Sequence, residues 1–524
     1  MTPAGILSRA DVLVLGGGPA GCWAALAAAR AGAEVVLADK GYCGTSGAAA
    51  AGGNNLWYLP PGPERDRAVA DRLREGGGLC EPDWMHRVLA ETWDRVPDLA
   101  LAGYRFPRDD VGDEVRSGLQ GPEYMRRMRR AVRRAGVRIL DHAPALELLA
   151  GPDGAVVGAA GRFRREPRGW ELHAGAVIVA TGGTALLSGA FGTDVDTGDG
   201  LLMAAEAGAR LSGMEFSAVY ALAPAFGVHT KGLMMAFASY FDADGRRIGE
   251  LTGRRGRVLA AERLARGERL WARLDRAPAE QHDAMRRAQP NYFLPLDKAG
   301  IDPFRTPYEL RLVYEGTVRG TGGIRLAGPG CETDVTGLYA AGDAATRELV
   351  TGSRSGGGSH NGAWAIASGS FAGRAAARYA RAAPVHRVPL RALGRAGMRP
   401  TGPASGIGAG DVVAAVQADV LPPGRTYRRT GAALTDTGGR LDDLWAAVRA
   451  GLHPGTGPRS AIRARESAAV LAAARWSTVA AARRRETRGV HRRSDHPETD
   501  PGAEHRIVLT GVDDVLTGTE EVRR

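Results

Sequence analysis

The sequence predicts an α/β fold built on a parallel sheet. Three observations carry that prediction. Residues 11–39 read as strand, glycine turn, helix, strand and terminal acid. Two later apolar runs, Ala176–Gly183 (AVIVATGG) and Gly337–Asp343 (GLYAAGD), each break at glycine. Long Ala-rich stretches near 441–451 and 460–485 have helical composition.

The first element is Asp11–Leu15 (DVLVL), an apolar run suited to a strand buried on both faces. It enters Gly16-Gly17-Gly18-Pro19-Ala20-Gly21, a G-x-G-x-x-G frame, and an Ala-rich helix follows to about Arg30. Glu34–Ala38 forms the second strand and delivers Asp39. In this frame Gly16 permits the tight turn, Gly18 lets backbone approach a pyrophosphate, and Gly21 lets helix and strand pack closely. The helix N-terminus offers free N–H groups and the positive end of its dipole to phosphate. Asp39 sits where a carboxylate accepts from ribose hydroxyls. Together these segments predict a Rossmann-like dinucleotide-binding domain.

Composition bounds the alternatives. The chain has 524 residues, 44% hydrophobic, 24% charged and 6% aromatic, enough for a large core and two to four structural units. Collagen-like, disordered and disulfide-scaffold classes are excluded. The net charge is +11, but acids interleave with the basic residues and only three of those 69 are lysines (Lys40, Lys231, Lys298). A solvated mixed-charge surface is therefore expected, not a nucleic-acid face. Cys22, Cys43, Cys80 and Cys331 show no CxxC or iron–sulfur spacing, so structural thiols and no metal site are expected. No leader pattern is evident and no run approaches the ~18 apolar residues of a membrane span. A cytoplasmic protein without a membrane span is expected.

Further segments narrow the reading. They are Thr45–Asn55 (TSGAAAAGGNN), Thr197–Ala204 (TGDGLLMA), Met214–Phe216 (MEF), Gly320–Ile324 (GTGGI), Arg354–Ser359 (RSGGGS) and Glu486–Pro497 (ETRGVHRRSDHP). In this order and spacing the set resembles the flavoprotein subunits of succinate dehydrogenase and fumarate reductase, a family that also holds L-aspartate oxidase and the adenylylsulfate reductase alpha subunit. The resemblance implies an FAD-binding domain split into 1–216 and 317–392 by an inserted capping domain, 217–316. A C-terminal helical domain, 393–497, and a tail, 498–524, follow; the tail is expected as a strand at Arg506–Leu509 and a loose end. It implies FAD held by Gly16, Gly18, Pro19, Ala20, Gly21, Asp39, Lys40, Thr45, Ser46, Gly47, Gly52, Gly53, Ala180, Thr181, Gly182, Asp199, Gly342, Asp343, Gly358 and Ser359. Asp343 is expected on the ribityl chain, and the helix beginning at Ser359 is expected to point at flavin O2 and N1.

The departures from the family concern chemistry. The histidine that carries flavin covalently in succinate dehydrogenase and fumarate reductase falls on Ser46, so noncovalent FAD is expected. The two histidines of the dicarboxylate site fall near Tyr220 and near Val318 or Arg319. No arginine lies between Arg210 and Arg246, which leaves the family's capping-domain arginine without a match there. Arg354 matches the family's carboxylate-clamping arginine, a role suited to a planar, bidentate, permanently charged group. Arg319, Glu123, His229, Lys231 and His360 are further candidates for substrate or proton-transfer roles; Tyr220 joins them by position. Arg488 and His491 are read as a marker joining the helical domain to the FAD domain.

The resulting expectation is an FAD-dependent oxidoreductase. It moves a hydride between a small anionic substrate, carboxylate or amino-acid-like, and flavin N5, within a specialised biosynthetic route. Oxygen or an electron-acceptor protein would complete the cycle. The alternative is a flavoprotein subunit of an adenylylsulfate-reductase-like complex that passes electrons to an iron–sulfur partner.

Overall fold

A computed structural model describes residues 5–109, 111–230, 233–355, 359–382 and 390–523. Strand β1 (Gly5–Leu15), helix α1 (Pro19–Arg30) and strand β2 (Val35–Ala38) form the expected unit at the N-terminus. The main sheet has eight strands. Its order is Arg391–Ala392, Ala145–Ala150, Val156–Arg162, Gly169–Val179, β1, β2, Arg138–Leu140, and Leu338–Ala340 also pairs with Gly169–Val179. The pairings around β1 and with Leu338–Ala340 are parallel. The other flank, 145–179, is an antiparallel meander that the sequence reading did not anticipate.

Register brings the parallel strand ends together. Leu15 pairs with both Ala38 and Val179, and Val179 pairs with Ala340. Four carboxyl-terminal ends therefore sit side by side, and the loops that leave them share one crevice. The segments that end there, Val12–Leu15, Val35–Ala38, Ala176–Val179 and Leu338–Ala340, are buried, as near-continuous apolar runs in parallel sheets require.

One face of the sheet is covered by α1 and the long helix Ser359–Ala382. Small residues set their close approach. A Cβ on Gly369 would lie 2.3 Å from the Ala20 carbonyl oxygen, and one on Gly373 would lie 2.2 Å from that of Ala24. Trp364 Nε1 donates to the Gly342 carbonyl at 2.9 Å and ties this helix to the loop after Leu338–Ala340.

A second sheet, Tyr220–Pro224, Tyr308–Tyr314, Trp271–Arg273, Ser239–Phe241, rises beside the crevice. Its apolar core, which includes Met235, Tyr240, Tyr292, Phe293 and Tyr308, is drawn wholly from residues 234–310. We call this unit the cap.

The C-terminal part holds the two expected helices, Gly431–Gly451 and Pro458–Arg483. At the end of the chain the expected strand Arg506–Leu509 falls within His505–Thr510, and the loose tail expected after it is a second strand, Leu516–Glu521. His505–Thr510 pairs with Leu516–Glu521 and with Leu211–Ser212. Trp476 Nε1 donates to the Gly511 carbonyl at 3.1 Å and Arg475 Nη1 to that of Val512 at 2.6 Å, which fixes the turn. No helix among the described residues is long and apolar enough to cross a membrane.

A buried seam of charges joins this part to the main sheet. Arg484 pairs with Glu215 and Glu486, each at 2.8 Å, and Arg488 pairs with Glu486 at 2.6 Å. Arg429 donates to His491 Nδ1 at 2.6 Å, and burial with that guanidinium drives the His491 pKa well below its usual value. A neutral ring accepting at Nδ1 and donating Nε2–H to the Arg484 carbonyl, 3.0 Å away, satisfies both contacts. Arg506 reaches Glu81 at 2.7 Å.

Glu348 lies in the same seam. It accepts from Ser212 Oγ, and burial, reinforced by the charge of Glu215, raises its pKa to about 7. The folded state therefore holds this proton more tightly than the unfolded chain, whose glutamate titrates near 4.3. The associated stability is fully present below about pH 4.3 and is lost as pH rises through about 7. Melting temperature followed against pH should decline across this interval in the wild type. It should decline less in Glu348→Gln, whose amide has no proton to lose.

Candidate functional site: the crevice at the strand ends

The crevice is a cavity of about 720 Å³. Its floor is the set of loops leaving the parallel strands: Gly16–Ala20, Asp39–Lys40, Ala180–Gly182 and Gly342–Asp343. Asn361, Gly362 and Ala365 come from the start of the long helix, while Tyr220, Leu222, Thr230, Arg257 and Ala261 come from the cap. Tyr427 and Arg492 reach in from the C-terminal part.

The glycine turn is shaped by contact with its neighbours. Gly16 has φ +106°, and a Cβ there would meet the Ala180 carbonyl oxygen at 2.2 Å. A Cβ on Gly21 would lie 1.8 Å from the Gly16 carbonyl oxygen. Gly18 differs: a Cβ there meets nothing within 4 Å, because the position faces the cavity. Gly18 is the N-cap of α1, no side chain caps it, and the first turn carries no acid. The helix start is thus left open toward an anion.

Asp39 closes the end of β2. Its Oδ2 accepts from Gly17 N at 2.5 Å, and its Oδ1 from Gly41 N at 2.7 Å and Ser46 Oγ at 2.9 Å. Lys40 forms an ion pair with Asp199, another with Glu466 at 3.0 Å, and donates to Thr197 Oγ1 at 2.6 Å. The charges of Asp199 and Glu466 outweigh the cost of burial and raise its pKa. Asp343 pairs with the buried Arg347, which also donates to the carbonyls of Thr317 and Val318, each at 3.2 Å. Among the described residues, five that line the cavity carry buried polar atoms without a hydrogen-bond partner: Thr181 Oγ1, Asp199 Oδ1, Gln289 Oε1, Arg319 Nε and Asn361 Oδ1. An open phosphate-facing turn, an acid at the second strand end and unsatisfied polar atoms along the wall fit a dinucleotide cofactor.

The sequence matches the FAD binding domain family over residues 11–360 and the fumarate reductase flavoprotein C-terminal family over residues 427–514. The chain belongs to the succinate dehydrogenase and fumarate reductase flavoprotein family. It is an FAD-dependent oxidoreductase. L-aspartate oxidase of Streptomyces coelicolor is 28% identical, over 95% of this chain and 91% of that protein. L-aspartate oxidase of Mycobacterium leprae is 30% identical, over 96% of each. A quinol fumarate reductase structure from E. coli superposes with a TM-score of 0.83 at 20% identity, covering 99% of this chain and 97% of that one, a likeness of fold.

Of the residues assigned to FAD from the sequence, Gly16, Gly18, Pro19, Ala20, Asp39, Lys40, Ser46, Gly47, Gly53, Ala180, Thr181, Gly182, Asp199, Gly342 and Asp343 line the crevice of this flavoprotein. Gly21 lies behind the turn, Thr45 is exposed, and Gly52 borders the Asn54 side chain, which donates to its carbonyl at 3.1 Å. Ser359 begins the long helix; Gly358 and Lys231 lie outside the described residues.

The catalytic candidates separate. Tyr220 and Arg319 line the crevice. Arg354 is exposed and is not among the lining residues. Glu123 sits on a helix surface, where hydrogen bonds from Arg126 and then Arg127 hold its carboxyl down at about 2. His360 packs its ring 4.6 Å from Trp57. His229 is buried between Phe191 and Tyr292, with ring centroids at 4.6 and 5.6 Å; its neighbour Thr230 faces the crevice.

Sequence reasoning missed Arg257, Glu315, Tyr427 and Arg492. The missing cap arginine is corrected in part by Arg257, which enters the crevice from the cap helix Gly253–Ala265, beyond the interval searched. Its position, one turn inside the cap helix, was the available signal.

The contrast between two glycines gives a test. Gly18→Val should leave the chain folded, because the new side chain enters open cavity, yet abolish FAD retention. Gly21→Val should instead lower the melting temperature, because its Cβ meets the Gly16 carbonyl. Absorbance at purification and a thermal melt distinguish the two. Acid precipitation of the wild type should release FAD into the supernatant, since Ser46 offers no ring nitrogen for a covalent link.

Proposed function

We propose that the protein oxidises a small carboxylate of amino-acid or dicarboxylate type, holding it under the cap against the flavin. The observation that carries this reading is that two guanidiniums, Arg257 of the cap helix and Arg319, line the same crevice, the second beside Glu315. The L-aspartate oxidases aligned along nearly the whole chain support the same substrate class. Bound along the crevice, FAD supplies the hydride acceptor at N5.

The chain's own residues bind, orient and take the proton. Arg319 holds a carboxylate through its guanidinium, whose Nε lacks a hydrogen-bond partner. Glu315 orients it: its Oε2 lies 3.7 Å from Arg319 Nε, and its Oε1 accepts from Thr230 Oγ1 at 2.7 Å. Glu315 is also the carboxylate on the cap side that can accept a substrate N–H or O–H proton as hydride leaves the adjacent carbon. Tyr220 does not serve as a base. Its hydroxyl donates to the Leu421 carbonyl at 3.0 Å, and burial raises its pKa far above the usual phenol value. Oxygen or an acceptor protein would complete the cycle.

Anaerobic mixing with a panel of amino and dicarboxylic acids, followed by air, tests the reading: a member of the panel should bleach the flavin. If none does, the substrate class is wrong. With that substrate, Arg319→Ala should keep FAD but lower kcat/KM by ~2–4 kcal/mol of transition-state stabilisation. Arg319→Lys should not restore it, because a point charge lacks the fork. Glu315→Gln should lower kcat about 10²-fold or more with a smaller change in KM. The same measurement on Arg354→Ala decides whether that exposed arginine shares the clamp.

A further inference from the structure

Tyr427 and Arg492 enter the crevice from the C-terminal part, far in sequence from the rest of its wall. The Arg492 guanidinium carbon lies 4.4 Å from the centroid of the Tyr427 ring. Tyr427 is 4% exposed, stands 5.9 Å from the Tyr220 ring and packs on Ala261 and Ala265 of the cap helix. This part of the crevice wall therefore sets a guanidinium on a tyrosine face, with a second tyrosine beside it.

The neighbours of Arg492 show that its placement is specific. In the Arg488–Arg493 segment, Arg488 pairs with Glu486 at 2.6 Å and Arg493 with Asp495 at 2.8 Å. Arg492 alone of the three turns into the cavity, and among the described residues no carboxylate stands within ion-pair distance of it. Stacking on an aromatic face leaves the in-plane N–H donors of a guanidinium available to an anion. Arg319, Glu315 and Tyr220 line the same cavity.

We infer that Arg492 and Tyr427 form a second anion subsite, which takes the remote charged end of an elongated carboxylate whose body lies along Tyr220 and Tyr427. The inference rests on the carboxylate reading above and sharpens it. The substrate carries two anionic groups separated by more than the four-carbon chain of succinate. Arg492 is a specificity residue; it does not touch the reacting carbon.

Binding to the oxidised holoenzyme, read from the perturbation of flavin absorbance, tests this without turnover. Succinate, adipate and suberate serve as probes. The wild type should bind adipate or suberate more tightly than succinate. Arg492→Gln should weaken the longer acid roughly tenfold or more, the loss expected of a charged hydrogen bond, and change succinate by less than about twofold. Arg492→Lys, which keeps the charge, should fall between the two and guards against a folding defect; retained flavin is the check on both variants. Equal affinity for all lengths, or equal weakening of all three by Arg492→Gln, overturns the subsite and leaves the carboxylate reading standing. If no acid of any length perturbs the flavin, the carboxylate reading itself fails and takes the subsite with it.

Discussion

The rest of the site depends on how closely the first glycine turn approaches the strand beside it. Gly16 lies so near the Ala180 carbonyl that no side chain fits between them, and Gly21 lies equally near the carbonyl of Gly16. These contacts lock the start of α1 to the ends of β1 and Gly169–Val179. Once they are set, register places Ala38 and Ala340 at the same level. Asp39, Thr181 and Asp343 are then delivered to one crevice by strands that end together. The long helix Ser359–Ala382 can cover this arrangement only because Gly369 and Gly373 let it approach the α1 backbone.

The C-terminal part is attached differently. Its seam to the main sheet runs through Arg484, Glu215, Glu486, Arg488 and Arg429, all buried. Buried ions are costly unless each finds partners, and here the guanidiniums find both carboxylates and backbone carbonyls. Such a seam specifies one docking geometry more sharply than apolar contact does. That precision matters because Tyr427 and Arg492 must reach the crevice wall from this side.

Much of the dinucleotide end was legible in the sequence because its signals are local. A turn, its flanking strands and an acid lie within thirty residues, and each residue type has a backbone reason to be there. The strand boundaries at Val35–Ala38 and the helices Gly431–Gly451 and Pro458–Arg483 follow from the same local patterns. The cap side of the crevice was not legible. Arg257, Glu315 and Arg492 come from three distant segments and line one cavity only through the cap and the C-terminal docking. Arg354 shows the converse: a motif match names the residue type, but the backbone leaves this side chain exposed. The terminal strand Leu516–Glu521 was missed because it is mostly exposed and lacks apolar alternation, so its pairing carries the information its sequence does not.

The cap keeps its core to itself, within residues 234–310. A unit with a separate core has its own free energy of opening, smaller than that of the main sheet and set by fewer apolar contacts. Opening it bares the wall that carries Arg257 and Ala261, while the glycine turn, Asp39 and Asp343 stay held at the ends of strands that have not moved. Entry of reactants and retention of the cofactor are thus governed by two separable equilibria. Amide exchange in the cap can quicken with no cost to how firmly the nucleotide is held.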